Sequence, residues 1–449
     1  MAARTLFLDD QHLASQRGMV RVIHHGQKDP DNPVLRAEAP WEEGVICGGT
    51  VRREAGGYRM WYQSYGRGTY LNLYATSPDG ASWYRPALRQ YPDFDGSLEN
   101  NIFLSRLALR SSERAPVRVN QDHNPNVLHT PHQGEDHAYS LFSYDYGRSG
   151  YAEYDGYLLA YSRDGIAWTD GPQHPVIPGH ADVGWFTYDG TDRRFRAMVK
   201  SYLNIRGHAR RSVLTTESPD GLAWALPRPA LLPDPEDDAW AAAAGARGGH
   251  AQFYGMPIFR YESLLLGFLQ VFQVTDIANP SHDGPVHVEL ACSWDGRTWQ
   301  RVSPRQPIVE RGAPGAWDAG GVYSGNSLVQ AGERVELYYT GDRATHGASD
   351  NAAAVGRVWW PRDRFVGLSA GPAGGLIELR PQLAGGVLHL NAEASRGEIL
   401  VELAGMGEPP RIRGDALDHV VTLPASCQGQ SVAIHLHLRD AEVFSLWWE

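Results

Sequence analysis

The pattern Ser-x-Asp-Gly-x-x-Trp occurs four times in this chain, at residues 77–83, 162–168, 218–224 and 293–299, each time closing a run of alternating apolar residues. Such a pattern reads as a tight turn. The serine and aspartate cap it, the glycine takes a positive φ, and the tryptophan packs between neighbouring sheets. A unit that recurs every several tens of residues with strand periodicity predicts a β-propeller, whose central pocket is built from the starts of its innermost strands.

Alternating runs fill the intervals between the turns. They predict strands at residues 45–52, 58–65 and 70–77 with an outer strand near Trp83; from 127, then 139–144 and 158–162; at 184–188, 195–202 and 212–218; and at 252–259, 264–272 and 286–293. A fifth unit lacks the turn motif but keeps the strands, at 321–329, 334–340 and 353–360. Inserts at 144–157 and 275–284, rich in Gly, Asp, Ser and Pro, are expected to rim the pocket. After Phe365 a linker at 371–375 leads to runs at 387–391, 398–403, 419–423, 431–438 and 444–448, which predict a small β-sandwich. The expectation is an all-β chain: a five-bladed β-propeller over residues 1–368, then a C-terminal β-sandwich over 369–449.

With 449 residues, 14 Trp, 21 Tyr, 49 Gly and 29 Pro, the composition suits many short strands joined by turns. A net charge of −11 with no basic block argues against nucleic acid or an anionic membrane as partner. Cys47, Cys292 and Cys427 are too few for a disulfide framework or a thiolate metal site, so reduced thiols are expected. The 18 histidines lack metal-ligand spacing, and the glycines at 245–249 lack the Lys-Ser/Thr of a phosphate loop, so no metal and no cofactor is expected. Neither a signal-type apolar segment nor a stretch of about 18 apolar residues is present. A cytoplasmic protein acting on a small molecule is the expectation, and oligomeric state leaves no mark on the sequence.

Gly48-Gly49-Thr-Val51 followed by residues 58–63 (Tyr-Arg-Met-Trp-Tyr-Gln), and the segment Pro-Arg-Asp-Arg-Phe-Val at 361–366, resemble the first blade and the propeller-to-sandwich passage of glycoside hydrolase family 32 and its superfamily, which includes family 43. The chain resembles still more closely an uncharacterised bacterial family 32-like set, through Leu-Phe-Leu-Asp-Asp at 6–10, Tyr-Gly-Met-Pro at 254–257 and Trp317-Asp318. The family's Trp-Met-Asn-Asp-Pro-Asn-Gly, Arg-Asp-Pro and Glu-Cys segments are absent, so the resemblance implies the architecture without placing the catalytic residues. It implies a glycoside hydrolase that removes a terminal sugar, with a fructosyl or arabinosyl furanoside as substrate. A carbohydrate-binding propeller without catalysis, and a phosphorylase or transferase on the same fold, are the alternatives.

Glycosidic hydrolysis needs two carboxyl groups. Inner-strand starts offer Glu42 and Glu43, Asp122, Asp182 and Asp318, while the fourth unit offers only His250, Gln252 and Tyr254. Sugars also need rings for stacking and planar polar groups for their hydroxyls. Trp41, Trp185, Tyr254 and Tyr323 are expected in the first role, and His123, His250, Asn326 and Arg343 in the second. For phosphate, Arg247 and Arg343 are the expected cations. The motif tryptophans and aspartates are expected to be structural.

Overall fold

The computed structural model describes residues 4–46, 49–66, 69–105, 122–146, 154–243, 249–279, 281–348, 352–403, 408–422 and 427–449. Strands dominate. Among the described residues the α-helical structure is Pro235–Ala243, and no helix is long and apolar enough to cross a membrane.

Five antiparallel units follow one another along the chain. In the first, Val45–Ile46 and Val51–Glu54 both pair with Gly57–Gly66, which pairs in turn with Thr69–Ser77 and then Ile102–Leu104. The sequence predicts one inner strand here; it is broken because Gly49 lies so close to the backbone of Trp61 that a Cβ would sit 1.9 Å from its carbonyl oxygen. The second unit is His123–His129, Tyr139–Asp145, Gly156–Ser162 and Trp168–Asp170; the third is Gly184–Asp189, Arg194–Ile205, His208–Ser218 and Arg228–Leu231. His250–Gly255, Leu264–Val274 and Val286–Ser293 form the fourth, and Gly321–Ala331, Arg334–Asp342 and Ala354–Pro361 the fifth, these two being joined into one sheet by a parallel pairing of Val286 with Gly321. An N-terminal strand, Gln27–Lys28, completes the fifth unit by pairing with Val358 and Trp359, a closure the sequence does not announce. Each unit touches the next, and the fifth returns to the first through Gly321–Ala331 against Val51–Glu54.

The repeated turns form as the sequence predicts. In each, the serine Oγ accepts the glycine N–H (2.8 Å for Ser77 and Gly80), and the aspartate Oδ1 accepts the next two amides. Their glycines have φ of +77°, +76°, +80° and +70°. Three of the turns are also latches: the glycine carbonyl accepts from the preceding unit, Gly80 from Tyr338 (2.9 Å), Gly165 from Trp61 (2.6 Å) and Gly296 from Thr215 (2.9 Å). The motif tryptophans sit at the same seams, Trp83 against Tyr338, Trp168 against Phe103 and Trp224 against Phe142.

Beyond Pro361 the chain builds a second sheet around Val387–Leu403, a single bulged strand where the sequence shows two runs. Ala441–Trp448 pairs with it as the expected final strand. Thr5–Leu6, Leu13–Arg17 and Val20–Ile23 also join this sheet, so the first residues of the chain belong with its last ones rather than with the ring. The buried Asp363 carboxylate ties the two bodies together, accepting from Arg4, Tyr261 (2.7 Å) and Ser445 (2.8 Å).

Candidate functional site

One line of contacts runs through all five units and converges on Asp182. Tyr70 of the first unit lies against His123 of the second, with ring centroids 4.1 Å apart, and His123 faces Tyr146. Tyr146 donates its hydroxyl to Asp182 (2.7 Å), and Lys200 of the third unit holds the other carboxylate oxygen at 2.7 Å. Lys200 in turn lies 4.4 Å from the ring centroid of Tyr254 in the fourth unit, which meets Tyr323 (5.4 Å) and His346 (5.0 Å) of the fifth. Arg211 flanks the same Tyr254 ring.

The local structure explains this convergence. Asp182 precedes the strand Gly184–Asp189 but is already held in its ladder, because Ala181 donates to Lys200 O and Lys200 donates to Val183 O. Lys200 and Arg211 point to one face of their hairpin, since Lys200 is paired with Val213 and Arg211 with Tyr202. At the start of the second unit Asp122 and Asn124 hold positive φ of 48° and 53°, a backbone cost of the kind that clusters at binding sites. Asp182 is 32% exposed while Lys200 is 2% exposed. The carboxylate therefore stands in a recess whose floor is cationic and whose walls are half-buried rings.

Electrostatics fix the protonation states. Burial pushes Asp182 up, but the Lys200 ammonium, His123 and the hydrogen bond from Tyr146 outweigh it and hold the carboxyl well below the usual range. His123 is pushed down to about 4 by burial, with Lys200 adding to the shift and Asp182 opposing it. His346 is likewise pushed down to about 4, by burial and then Arg211. At neutral pH Asp182 is therefore ionised, and His123 and His346 are uncharged. A group of three or more His, Cys, Asp or Glu that could hold a metal is absent among the described residues.

Of the expected site residues, Asp182, His123, Tyr254 and Tyr323 come together here. His250 lies alongside: Gln252 donates to its Nε2 (3.0 Å) and to His282 Nδ1 (2.8 Å). The others stand elsewhere. Glu42 is enclosed in a separate network, accepting from Tyr62 (2.6 Å), from Arg85 and from the amides of Glu38 and Ala39. Glu43 is exposed, its amide on Ser64. Asp122 is buried, accepting from Ser143 (2.9 Å). Asp318 pairs with Lys28 and Tyr339 on the flank of the fifth unit. Trp41 donates to Asn101, and Trp185 is buried with its ring where a Cβ on Gly255 would fall. Asn326 spans to the Phe186 carbonyl (3.0 Å), Arg343 is exposed, and Arg247 lies outside the described residues.

Tyr70, Tyr146, Lys200, Arg211 and His346 escape the sequence reading, which places Gln252 at an inner-strand start without giving it a role. A signal exists for two of them: Lys200 ends the apolar run 197–199, and Arg211 sits within a strand.

No family model matches the chain, and no curated protein matches it. Among solved structures it is similar to a β-1,2-mannobiose phosphorylase from Listeria innocua in complex with β-1,2-mannobiose, at 12% identity and a TM-score of 0.50 over 76% of this chain and 97% of that one. It is also similar to a glycosyl hydrolase from Bacteroides ovatus (14%, TM-score 0.48, 76% and 95%) and to an N-acetylgalactosamine deacetylase from F. plautii in complex with blood group B trisaccharide (13%, TM-score 0.48, 78% and 97%). At these identities the likeness is one of fold alone.

Proposed function

We propose that the chain is a carbohydrate-active enzyme of the five-bladed propeller type, backed by a C-terminal β-sandwich, which cleaves a terminal glycosidic bond of a small oligosaccharide in the recess at Asp182. The observation that carries this reading is the line of contacts from Tyr70 to His346, which surrounds one solvent-reachable carboxylate with aromatic walls. Rings stack on the C–H faces of sugars, and a fixed anion stabilises the positive charge that develops on the sugar ring as the bond breaks. Asp182, ionised and clamped, takes that role. A proton for the leaving oxygen must come from a second carboxyl; we nominate Glu43 from the sequence reading, since it is exposed at the start of the first unit, although it stands outside the line of contacts around Asp182. A fructosyl or arabinosyl furanoside, as the family 32 resemblance implies, is the first substrate to try.

Phosphorolysis is the second reading, favoured by Lys200 and Arg211 on the Tyr254 ring. There a phosphate oxygen bonds to the anomeric carbon, the glycosidic C–O bond breaks, and the leaving oxygen takes up a proton. The test is a screen of aryl furanosides and pyranosides with and without phosphate, followed by comparison of Asp182→Asn and Glu43→Gln with the parent. Full turnover in both variants would remove the carboxylate assignment.

A further inference from the structure

We infer that the recess binds an oxyanion on Arg211, either the carboxylate of an acidic sugar unit or inorganic phosphate. The inference rests on the reading of the recess as a sugar site and names the charge of what enters it.

Four cationic side chains are buried among the described residues: Arg196, Lys200, Arg210 and Arg211. Three of them have carboxylate partners. Arg196 has Asp192 and Glu217, Lys200 has Asp182, and Arg210, the immediate neighbour in sequence, has Asp238. Arg211 is 6% exposed, and no carboxylate of the described residues lies within ion-pair distance of it. Among the described residues its acceptors are neutral, Gln252 Oε1 at 2.7 Å and the Ser281 carbonyl at 3.0 Å, and its Nε is sealed from solvent with no acceptor among them. The rings of Tyr202, Tyr254 and Phe272 lie 5.5–5.7 Å from its Cζ, which softens the charge without neutralising it.

A buried guanidinium without a counter-ion is costly, and proteins retain one where an anion arrives to complete it. The surroundings fit that role. Gln252 is oriented by Arg211, with its amide nitrogen turned to His250 and His282, so the planar fork is fixed before a ligand binds. Lys200, on the other contact with Tyr254, already has Asp182, so the charge left over is that of Arg211.

Binding of glucuronate, galacturonate, inorganic phosphate and neutral glucose to the full chain, measured by calorimetry and by ligand-induced shift in melting temperature, tests the inference. Charged ligands are expected to bind and glucose to bind at least about tenfold more weakly, the preference being lost in Arg211→Met and cut about tenfold in Arg211→Lys, which keeps the charge but not the fork. Binding of uronates identifies an acidic sugar; phosphate binding with a sugar 1-phosphate among the products identifies phosphate. Equal binding of charged and neutral ligands overturns the inference. The ligand-free melting temperature gives an independent reading. Arg211→Met should match or exceed the parent, because an uncompensated charge is removed, whereas a clear drop would make the guanidinium structural and overturn the proposal. Because these are binding measurements, they stand even if Asp182→Asn shows that hydrolysis is the wrong reaction.

Discussion

At the rim of the ring, four copies of one turn do one job with the same residue types; in the middle, tyrosine recurs in four units while Asp182, Lys200 and Arg211 all come from the third. Ser77, Ser162, Ser218 and Ser293 each accept a glycine amide in the same geometry. The recess takes a tyrosine from the first unit, a histidine and a tyrosine from the second, and an aspartate, a lysine and an arginine from the third. Repetition serves the fold, because every seam between units poses the same packing problem. Departure from repetition serves chemistry, because a ligand is asymmetric and one wall must offer it charge where the others offer rings.

The comparison is sharpest where it predicts opposite outcomes in turnover for two substitutions. Asp182→Asn keeps the size of the side chain and removes its charge, so turnover per folded molecule on a cleaved glycoside should fall about 10²–10⁴-fold, with a lowered melting temperature as well because the buried Lys200 loses its counter-ion. Trp168→Ala should lower stability alone. Emptying that buried seam against Phe103 should cost about 3–5 kcal/mol, seen as a lowered denaturation midpoint, while turnover per folded molecule is kept. A Trp168 variant of normal stability and weakened sugar binding would erase the division between rim and centre.

Asp318 tests where the division runs. It stands on the flank of the fifth unit with Lys28 from the N-terminal strand, and its carboxylate is 3% exposed while Lys28 is 28% exposed. Lys28→Met would leave a buried charge without its cation at the point where the ring is closed. Allowing for the partial exposure of Lys28, a loss of about 1–3 kcal/mol is expected in denaturant unfolding, with activity per folded molecule unchanged. A large loss of turnover without a loss of stability would move Asp318 into the reacting site.

Much of the rim was legible in the sequence, because turn chemistry and period-two alternation are local. The strand starts at Gly184 and Gly321 fall where the pattern places them. The centre was legible only in part. Asp182 and His123 precede or open inner strands, a position that can be read, whereas Lys200 and Arg211 lie within strands whose facing depends on hairpin register. Glu42 looked as free as Asp182, and only the fold brings Arg85 and Tyr62 onto it. Closure by Gln27–Lys28, and the union of residues 5–23 with the C-terminal sheet, are long-range pairings that strands of two to five residues cannot signal.

Acid separates the two regions by the pH at which each weakens. In the centre, His123 and His346 have their pKa values lowered to about 4, mainly by burial, against about 6.5 in the unfolded chain. The unfolded state then binds more protons between about pH 4 and 6.5, so this contribution to stability is full above that window and is lost as the pH falls through it. At the rim, Asp79 is lowered to about 2 by the amides of Ser82 and Ala81. Its contribution is full above about pH 4, the unfolded carboxyl value, and is lost only as the pH falls from there toward 2. Asp182, also held low, behaves as the rim does and leaves the upper window to the histidines. Thermal melts from pH 3 to pH 8 should therefore decline in two stages. His123→Gln should flatten the upper stage by about 1 kcal/mol, discounted for partial exposure, and Asp79→Asn should flatten only the lower one. If His123→Gln keeps the full slope between pH 4 and 6.5, that histidine is not held neutral in the recess, and the electrostatic contrast between rim and centre fails at its most accessible point.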